Sequence, residues 1–313
     1  MITNPSEAAD IIRSGDLVAI PTETVYGLAA DAFNIQAVLK TFKIKGRPAD
    51  NPLIIHINSI DQLKRVAVNI PESVTLLAKA FWPGPLTLVL NKQKDVPDIV
   101  TGGLSTVAVR MPDHPLTLEM IRLSGPVTAP SANRSGSPSP TRAEHVKNDY
   151  SDLVPILDGG NCRIGIESTV LDLTGSKPVI LRPGAITADM ILDKTGIKVS
   201  ALNKTDINMQ MKSPGTRYTH YKPIAQVEWF DPKTHQTESD SYYLLHTYPE
   251  HQSLPNIFHY KGDFNSMARD LYDHFRTADH LGYTHIKIEP LPDSSQNPLI
   301  PALTDRISKS VGR

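Results

Sequence analysis

The most chemically suggestive residues are a cationic pair, Lys45 and Arg47, separated by Gly46. An ammonium on a mobile stem beside a planar guanidinium fork suits neighbouring phosphate groups. Two cations closing a helix dipole is the plainer alternative. A second candidate is the stretch 129–141, Ala-Pro-Ser-Ala-Asn-Arg-Ser-Gly-Ser-Pro-Ser-Pro-Thr, whose hydroxyls and backbone N–H groups could line an anion site. Its prolines restrict it more than a flexible connector requires. A third, Pro21-Thr22-Glu23-Thr24-Val25-Tyr26-Gly27, follows an apolar run and so falls at the carboxyl end of a strand, where open α/β sheets collect ligands. Arg110, Ser168 and Arg182 stand singly at the ends of further strand-like runs. The Walker loop, the dinucleotide glycine fingerprint and the lipase nucleophile elbow are all missing, so any ATP site must be assembled from dispersed segments.

The elements that must position these groups read as follows. Asn4-Pro5 caps and starts a helix that ends near Gly15. Branched apolar runs at 17–20, 53–57, 86–90, 107–109, 154–157, 168–173 and 179–182 read as strands of a largely buried sheet. Helical periodicity occupies 35–44, 72–81, 115–123 and 142–148, the last capped by Thr141. The mixture predicts an α/β unit over about the first 195 residues. Periodicity then fades into a segment with turn residues and aromatics, including Tyr218, His220 and Tyr221, which suit packing over a ligand or a domain surface. Strands at 227–230, 242–246 and 286–288, with helices carrying Phe264 to Phe275 and Leu299 to Ile307, predict a small second α/β domain.

Composition sets the outer bounds. The chain has 313 residues, a formal net charge of -1 and one cysteine, Cys162. No global positive field favours nonspecific nucleic-acid binding, and neither a disulfide within the chain nor a cysteine zinc cluster can form. Cys162 reads as a small core residue. With neither a signal-like N-terminus nor a membrane-length apolar run, the expectation is a soluble, cytoplasmic protein without membrane contact.

Taken in order, these segments resemble the YrdC-like threonylcarbamoyl-AMP synthases. The resemblance runs through Pro21 to Gly27, Lys45-Gly46-Arg47-Pro48, Asn51 to His56, Phe81-Trp82-Pro83-Gly84-Pro85-Leu86-Thr87 and Val109-Arg110-Met111-Pro112. It continues through Ser131-Ala132-Asn133, Glu167-Ser168-Thr169 and Arg182-Pro183-Gly184. The segment from Ser213 to Pro223 is similar to the linker of the family's two-domain form, with Thr216 in place of the usual Met and Lys222 where a small residue is common. The resemblance implies an α/β fold: a twisted, open mixed sheet with a concave cavity, and a smaller Rossmann-like domain. The corresponding boundaries are 1–200, a linker at 201–224 folding over the site, and 225–313.

It also implies a reaction of L-threonine, bicarbonate or CO2, and ATP with Mg2+, giving threonylcarbamoyl-AMP and pyrophosphate. A downstream tRNA threonylcarbamoyl-transferase complex would consume the product, with at most a weak tRNA contact here. By motif, Lys45, Arg47, Ser131 and Asn133 correspond to the family's catalytic tetrad around ATP. Asn51, Thr106, Ser139, Arg182 and Tyr221 fall at further nucleotide positions, and Thr24, His56, Arg110, the Ala129 backbone and Ser168 at threonine positions. No protein cage for metal is implied; Mg2+ would be held through the phosphates. A carbamate is already an anion, so its attack on the α-phosphorus needs positioning and charge stabilisation, not an activated side-chain nucleophile. Lys45 and Arg47 are expected to face the cavity, and Arg110 to fork onto the threonine carboxylate. The competing readings are an RNA-binding module and a carbamoyl-phosphate-using relative.

Overall fold

The computed structural model describes residues 1–201, 221–231, 238–247 and 255–311; residues 202–220 of the expected linker, with Tyr218 and His220, lie outside the described residues. The first strands and helices are α1 (Pro5–Arg13), β1 (Val18–Ile20), β2 (Gly27–Asp31), α2 (Ile35–Lys45), β3 (Ile54–His56), α3 (Ile60–Val66) and β4 (Ala67–Val68). Then come α4 (Glu72–Phe81), β5 (Leu86–Lys92), α5 (Asp98–Thr101), β6 (Thr106–Arg110), α6 (Pro115–Ser124) and β7 (Val127–Thr128). The series closes with α7 (Ala143–Tyr150), β8 (Thr169–Asp172), β9 (Val179–Arg182), α8 (Ala188–Thr195) and β10 (Ser200–Ala201). These ten strands form one mixed sheet in the order β1-β2-β7-β3-β6-β5-β8-β9-β10, with β4 paired to β5.

Side chains alternate across each strand, so the two faces of the sheet have different fates. Ile55, Leu88, Leu90, Val107, Val109 and Leu171 point into the main core, against Val38 and Phe42 of α2, Leu63 and Val66 of α3, and Val74, Leu77 and Phe81 of α4. Burial of each such side chain contributes about 1.5–3 kcal/mol. The opposite face carries a smaller cluster, Ile54, Val89, Ala108, Val170, Val179 and Leu181. The functional residues continue this second face: His56 follows Ile54 by two, and Arg110 follows Ala108 by two.

Two expectations are corrected. The strand expected at 154–157 is reduced to isolated bridges, Ile156 to Ala19 and Leu157 to Ile2, because each of its two bridging residues meets a different segment and no continuous ladder forms. Thr141 does not cap α7; Arg142 holds the cap position with no side-chain bond, and His145 Nδ1 accepts from Thr141 N instead. Cys162 is buried in a core cluster, where burial pushes its thiol up to about 12.

Beyond Tyr221 the chain forms β11 (Gln226–Trp229), β12 (Ser241–Leu245), β13 (Ile257–His259), α9 (Phe264–Leu281), β14 (His285–Ile288) and α10 (Ile300–Val311). The four strands pair in parallel in the order β11-β14-β12-β13. Phe264, Met267, Ala268, Leu271, Tyr272 and Phe275 line one face of α9, joined by Leu303 and Ile307 of α10. Val25 and Ile166 of the larger domain belong to the same apolar cluster, so the two domains share a core. Among the described residues, no helix is long and apolar enough to cross a membrane.

Candidate active site

Strand register builds the centre of the site. His56 on β3 sits opposite Arg110 on β6, and Arg110 opposite Thr87 on β5. Ser168, one residue before β8, closes the row with its hydroxyl 2.8 Å from Thr87 Oγ1. This row floors a cavity lined by Thr22, Thr24, Val25, Gly27, Arg47, Pro52, Leu53, Ile54, His56, Arg110, Ala129, Pro130, Ser131, Glu167, Ser168, Arg182 and Tyr221. Gly27 is needed where β2 meets the roof: a Cβ there would sit 3.0 Å from that of Ala129.

Arg110 is held from three sides. Its Nε donates to Gly84 O at 3.2 Å and its Nη1 to Thr24 Oγ1 at 2.9 Å. Nη2 lies 2.6 Å from Glu23 Oε2 in an ion pair, both side chains at most 5% exposed, although the angle is poor for a hydrogen bond. A guanidinium has five N–H donors, so the fork expected for a carboxylate is restricted to what remains on Nη1 and Nη2. His56 is fully enclosed. Burial first, and the neighbouring Arg110 second, bring its imidazole down to about 3, so it is neutral at physiological pH. Nδ1 is 3.3 Å from Ile54 O, which assigns the Nδ1–H tautomer and leaves Nε2 as an acceptor.

The phosphate-type residues divide into two groups. Arg47, Ser131, Arg182 and Tyr221 line the cavity, whereas Lys45, Asn51, Thr106, Asn133 and Ser139 do not. Gly46 ends α2 in the left-handed conformation at φ 62°, which turns Arg47 away from the helix axis. Arg47 then donates to Pro52 O at 3.0 Å. Lys45 departs from expectation. Its ammonium donates to Ser131 O at 2.6 Å and Asn133 O at 2.5 Å, so it holds the polar loop from beneath instead of facing the cavity. Burial, then the charge of Arg47, hold its pKa well below the ordinary lysine value.

Asn133 Nδ2 donates to Arg134 O and Ser137 O. Asn51 is buried, and neither amide atom has a hydrogen-bond partner among the described residues. Ser139 donates to Glu167 Oε1 at 2.6 Å, and Thr106 begins β6 opposite Asn91.

Two carboxylates lie inside candidate segments but receive no role from the sequence. Glu23 orients Arg110, and its only sequence signal was its place in the Thr-Glu-Thr turn. Glu167 lines the cavity beside Ser168 and accepts from Ser139, from Tyr272 at 3.0 Å and from Arg306 Nε at 2.7 Å. Burial raises its pKa, but Arg306, Arg182 and Ser139 outweigh that and leave it below the usual carboxylate range. Arg182 places Nε and Nη2 on Ser168 O at 3.1 and 3.0 Å. Tyr221, at φ 68°, stacks on Tyr272 with ring centroids 5.3 Å apart.

The lining carries three arginines against one glutamate, with His56 neutral, so the cavity favours anions. Among the described residues no cluster of three or more His, Cys, Asp or Glu is placed to hold a metal ion.

Comparison with known proteins gives the same direction. Residues 10–184, more than half of the chain, match the Sua5/YciO/YrdC family described as "Telomere recombination", and residues 186–312 match the "Threonylcarbamoyl-AMP synthase, C-terminal domain". A threonylcarbamoyl-AMP synthase of Pyrococcus abyssi is 43% identical, the alignment covering 97% of this chain and 93% of the relative. One of Bacillus subtilis is 40% identical, covering 98% and 92%. The crystal structure of P. abyssi Sua5 complexed with L-threonine has a TM-score of 0.86 at 41% identity, covering 98% of this chain and 94% of that one. The chain therefore belongs to the Sua5/YciO/YrdC family, among the threonylcarbamoyl-AMP synthases that carry the additional C-terminal domain.

Proposed function

We propose that the chain joins L-threonine, bicarbonate or CO2, and ATP into threonylcarbamoyl-AMP with release of pyrophosphate, the first step of threonylcarbamoyladenosine formation in tRNA. The carrying observation is the convergence on one anion-favouring cavity of Thr24, His56, Arg110, Ala129 and Ser168 with Arg47, Ser131, Arg182 and Tyr221. The first set faces the strand-end row and would hold threonine; the second would hold the nucleotide. The P. abyssi relative's complex with L-threonine supports the amino-acid assignment.

The chemistry asks little of any single side chain. Threonine's amine adds to CO2 and loses a proton, giving a carbamate. A carbamate oxygen then bonds the α-phosphorus as the bond to pyrophosphate breaks. His56 Nε2, as a neutral acceptor, can take a hydrogen bond from the amine or carbamate N–H. The remaining Arg110 N–H groups bind the carboxylate. Arg47 and Arg182 counter charge on the phosphates, and Ser131 Oγ, with no partner among the described residues, can donate to one of them. Lys45 acts through the Ser131 and Asn133 carbonyls. The buried Asn51 amide is a polar group that a nucleotide or a water would satisfy.

Mg2+ fits as a companion of ATP, not as a caged ion: Glu167 has both oxygens engaged by Ser139, Tyr272 and Arg306. When bound with ATP it would supply further charge neutralisation on the phosphates. We assign the reaction to the cytoplasm, with a tRNA-transferring complex as consumer of the product.

The test is to incubate the protein with ATP, Mg2+, bicarbonate and single amino acids, measuring pyrophosphate and the adenylate by mass. Threonine-dependent product is expected, and its absence refutes the assignment. Identity of 43% across nearly the whole chain favours this over an RNA-binding module or a carbamoyl-phosphate-using relative.

A further inference from the structure

Arg306 on α10 is fully buried, 139 positions in sequence from its carboxylate partner. It spans three parts of the cavity wall at once. Nε binds Glu167 Oε2 at 2.7 Å; Nη2 binds Pro183 O at 3.0 Å, adjacent to Arg182. Its guanidinium carbon lies 5.6 Å from the centroid of the Tyr221 ring, in cation–π range. One helical turn later Ser310 donates to the Tyr221 carbonyl at 3.1 Å, so α10 grips both ring and backbone of that residue. The walls joined here fit tightly. A Cβ on Gly184 would lie 2.3 Å from Thr169 N, and one on Gly165 would lie 2.3 Å from Arg269 Cα on α9.

Two other ion pairs between the domains involve no cavity-lining residue, although Arg276 also donates to Pro138 O at 2.6 Å. Arg142 pairs with Asp273 at 2.6 Å, and Arg276 with Asp149 at 2.8 Å, through α7. Those contacts, with the shared apolar cluster of Val25 and Ile166, also join the domains. A buried cation is costly to desolvate, and replacing such a pair with apolar groups is often neutral for stability. Docking alone is therefore a weak reason for a guanidinium that, besides Asp305 on its own helix, reaches Glu167 and Pro183 while it faces Tyr221.

We propose that Arg306 is a positioning residue of the active site, through which the C-terminal domain fixes Glu167–Ser168, the Arg182–Pro183 turn and Tyr221 in the geometry that binds threonine and nucleotide. This rests on the assignment of Ser168 to threonine and of Arg182 and Tyr221 to nucleotide. Arg306 touches neither substrate; it sets the groups that do.

Threonine affinity by calorimetry, together with threonine-dependent pyrophosphate release, tests it in the full-length protein. R306M/E167Q removes both charges of the enclosed pair, so Glu167 is not left as an unpaired carboxylate; Asp305, which Arg306 also contacts, keeps Lys309 at 2.9 Å. It should melt cooperatively yet bind threonine at least tenfold more weakly. R306K keeps the charge and loses the fork, and should fall between wild type and the double variant. R142M, which breaks only a docking pair, should lower the melting temperature without changing threonine affinity. A folded R306M/E167Q within twofold of wild type in threonine Kd and in turnover overturns the proposal. If the double variant fails to fold, R306K decides, and wild-type affinity in it is equally fatal. Absence of threonine binding by the wild-type protein is a different failure, that of the site assignment itself.

Discussion

Lys45 separates two accounts of the phosphate loop that the sequence cannot separate. If its ammonium faced the cavity, removing it would abolish nucleotide binding and leave stability alone. In the structure it is 3% exposed and bonded to the carbonyls of Ser131 and Asn133. Lys45→Met keeps most of the apolar stem and removes the donor. Each orphaned buried carbonyl costs about 1–3 kcal/mol, and relief from burying an ammonium offsets part of that. The net expectation is about 2 kcal/mol, roughly a thirtyfold change in the folding constant. Urea denaturation at pH 7.5 measures it, and hydrogen exchange over residues 129–137 should quicken in the same variant. The pH dependence adds a second readout. Burial holds the folded pKa of Lys45 below its unfolded value, so the folded state binds fewer protons and this group's contribution rises with pH up to the ordinary lysine range. The stability difference between wild type and variant should therefore grow from pH 7 to pH 10. An unchanged denaturation midpoint combined with lost ATP affinity would refute the reasoning and return Lys45 to the cavity.

Glu23→Gln strands the Arg110 cation in a buried site and should cost about 3–5 kcal/mol or force Arg110 to reorient; thermal melting and threonine calorimetry read the two outcomes, and a wild-type result in both would show the pair to be dispensable. His56 should show no NMR titration between pH 5 and 8. Its folded value of about 3 lies below the ordinary 6.5, so its stability contribution is complete above about 6.5 and is lost as pH falls toward 3; a midpoint near 6.5 would contradict the assigned burial. Gly165→Ala adds a Cβ 2.3 Å from Arg269 Cα at a φ of 82° and should destabilise the protein by more than about 2 kcal/mol, with the second domain becoming protease-sensitive; an unaltered melting curve would mean the domains do not meet there.

Legibility in the sequence followed the range of the interactions. α2 could be read because Asn34 and Gly46 cap it locally, and α4 because its apolar face repeats at helical spacing. β3, β5 and β6 announced themselves as branched runs. β2, Gly-Leu-Ala-Ala-Asp, did not, because its small residues owe their strand to pairing with β1 and β7. The two-residue β7 likewise exists only through its neighbours. In the smaller domain β13 is defined by its register with β12.

Motif order singles out nine residues that line the cavity and five that do not, because it cannot give their directions. That His56, Arg110, Thr87 and Ser168 form one row depends on strand register between distant segments, and Lys45's downward turn depends on a loop 86 residues away. The same limit explains why neither Glu23 nor Glu167 receives a role from the sequence, although both lie in its candidate segments. A carboxylate in an anion-binding cavity looks wrong until its compensating cation is seen, and those cations, Arg110 and Arg306, lie 87 and 139 positions away in the chain. Once paired, the two glutamates cease to oppose anion binding and become what holds the arginines and the strand-end turns in place. A site built this way lines its cavity with Arg47, Arg110 and Arg182 and uses its carboxylates as scaffolding, which is why Glu23→Gln should show itself either in stability or, through a reoriented Arg110, in threonine affinity.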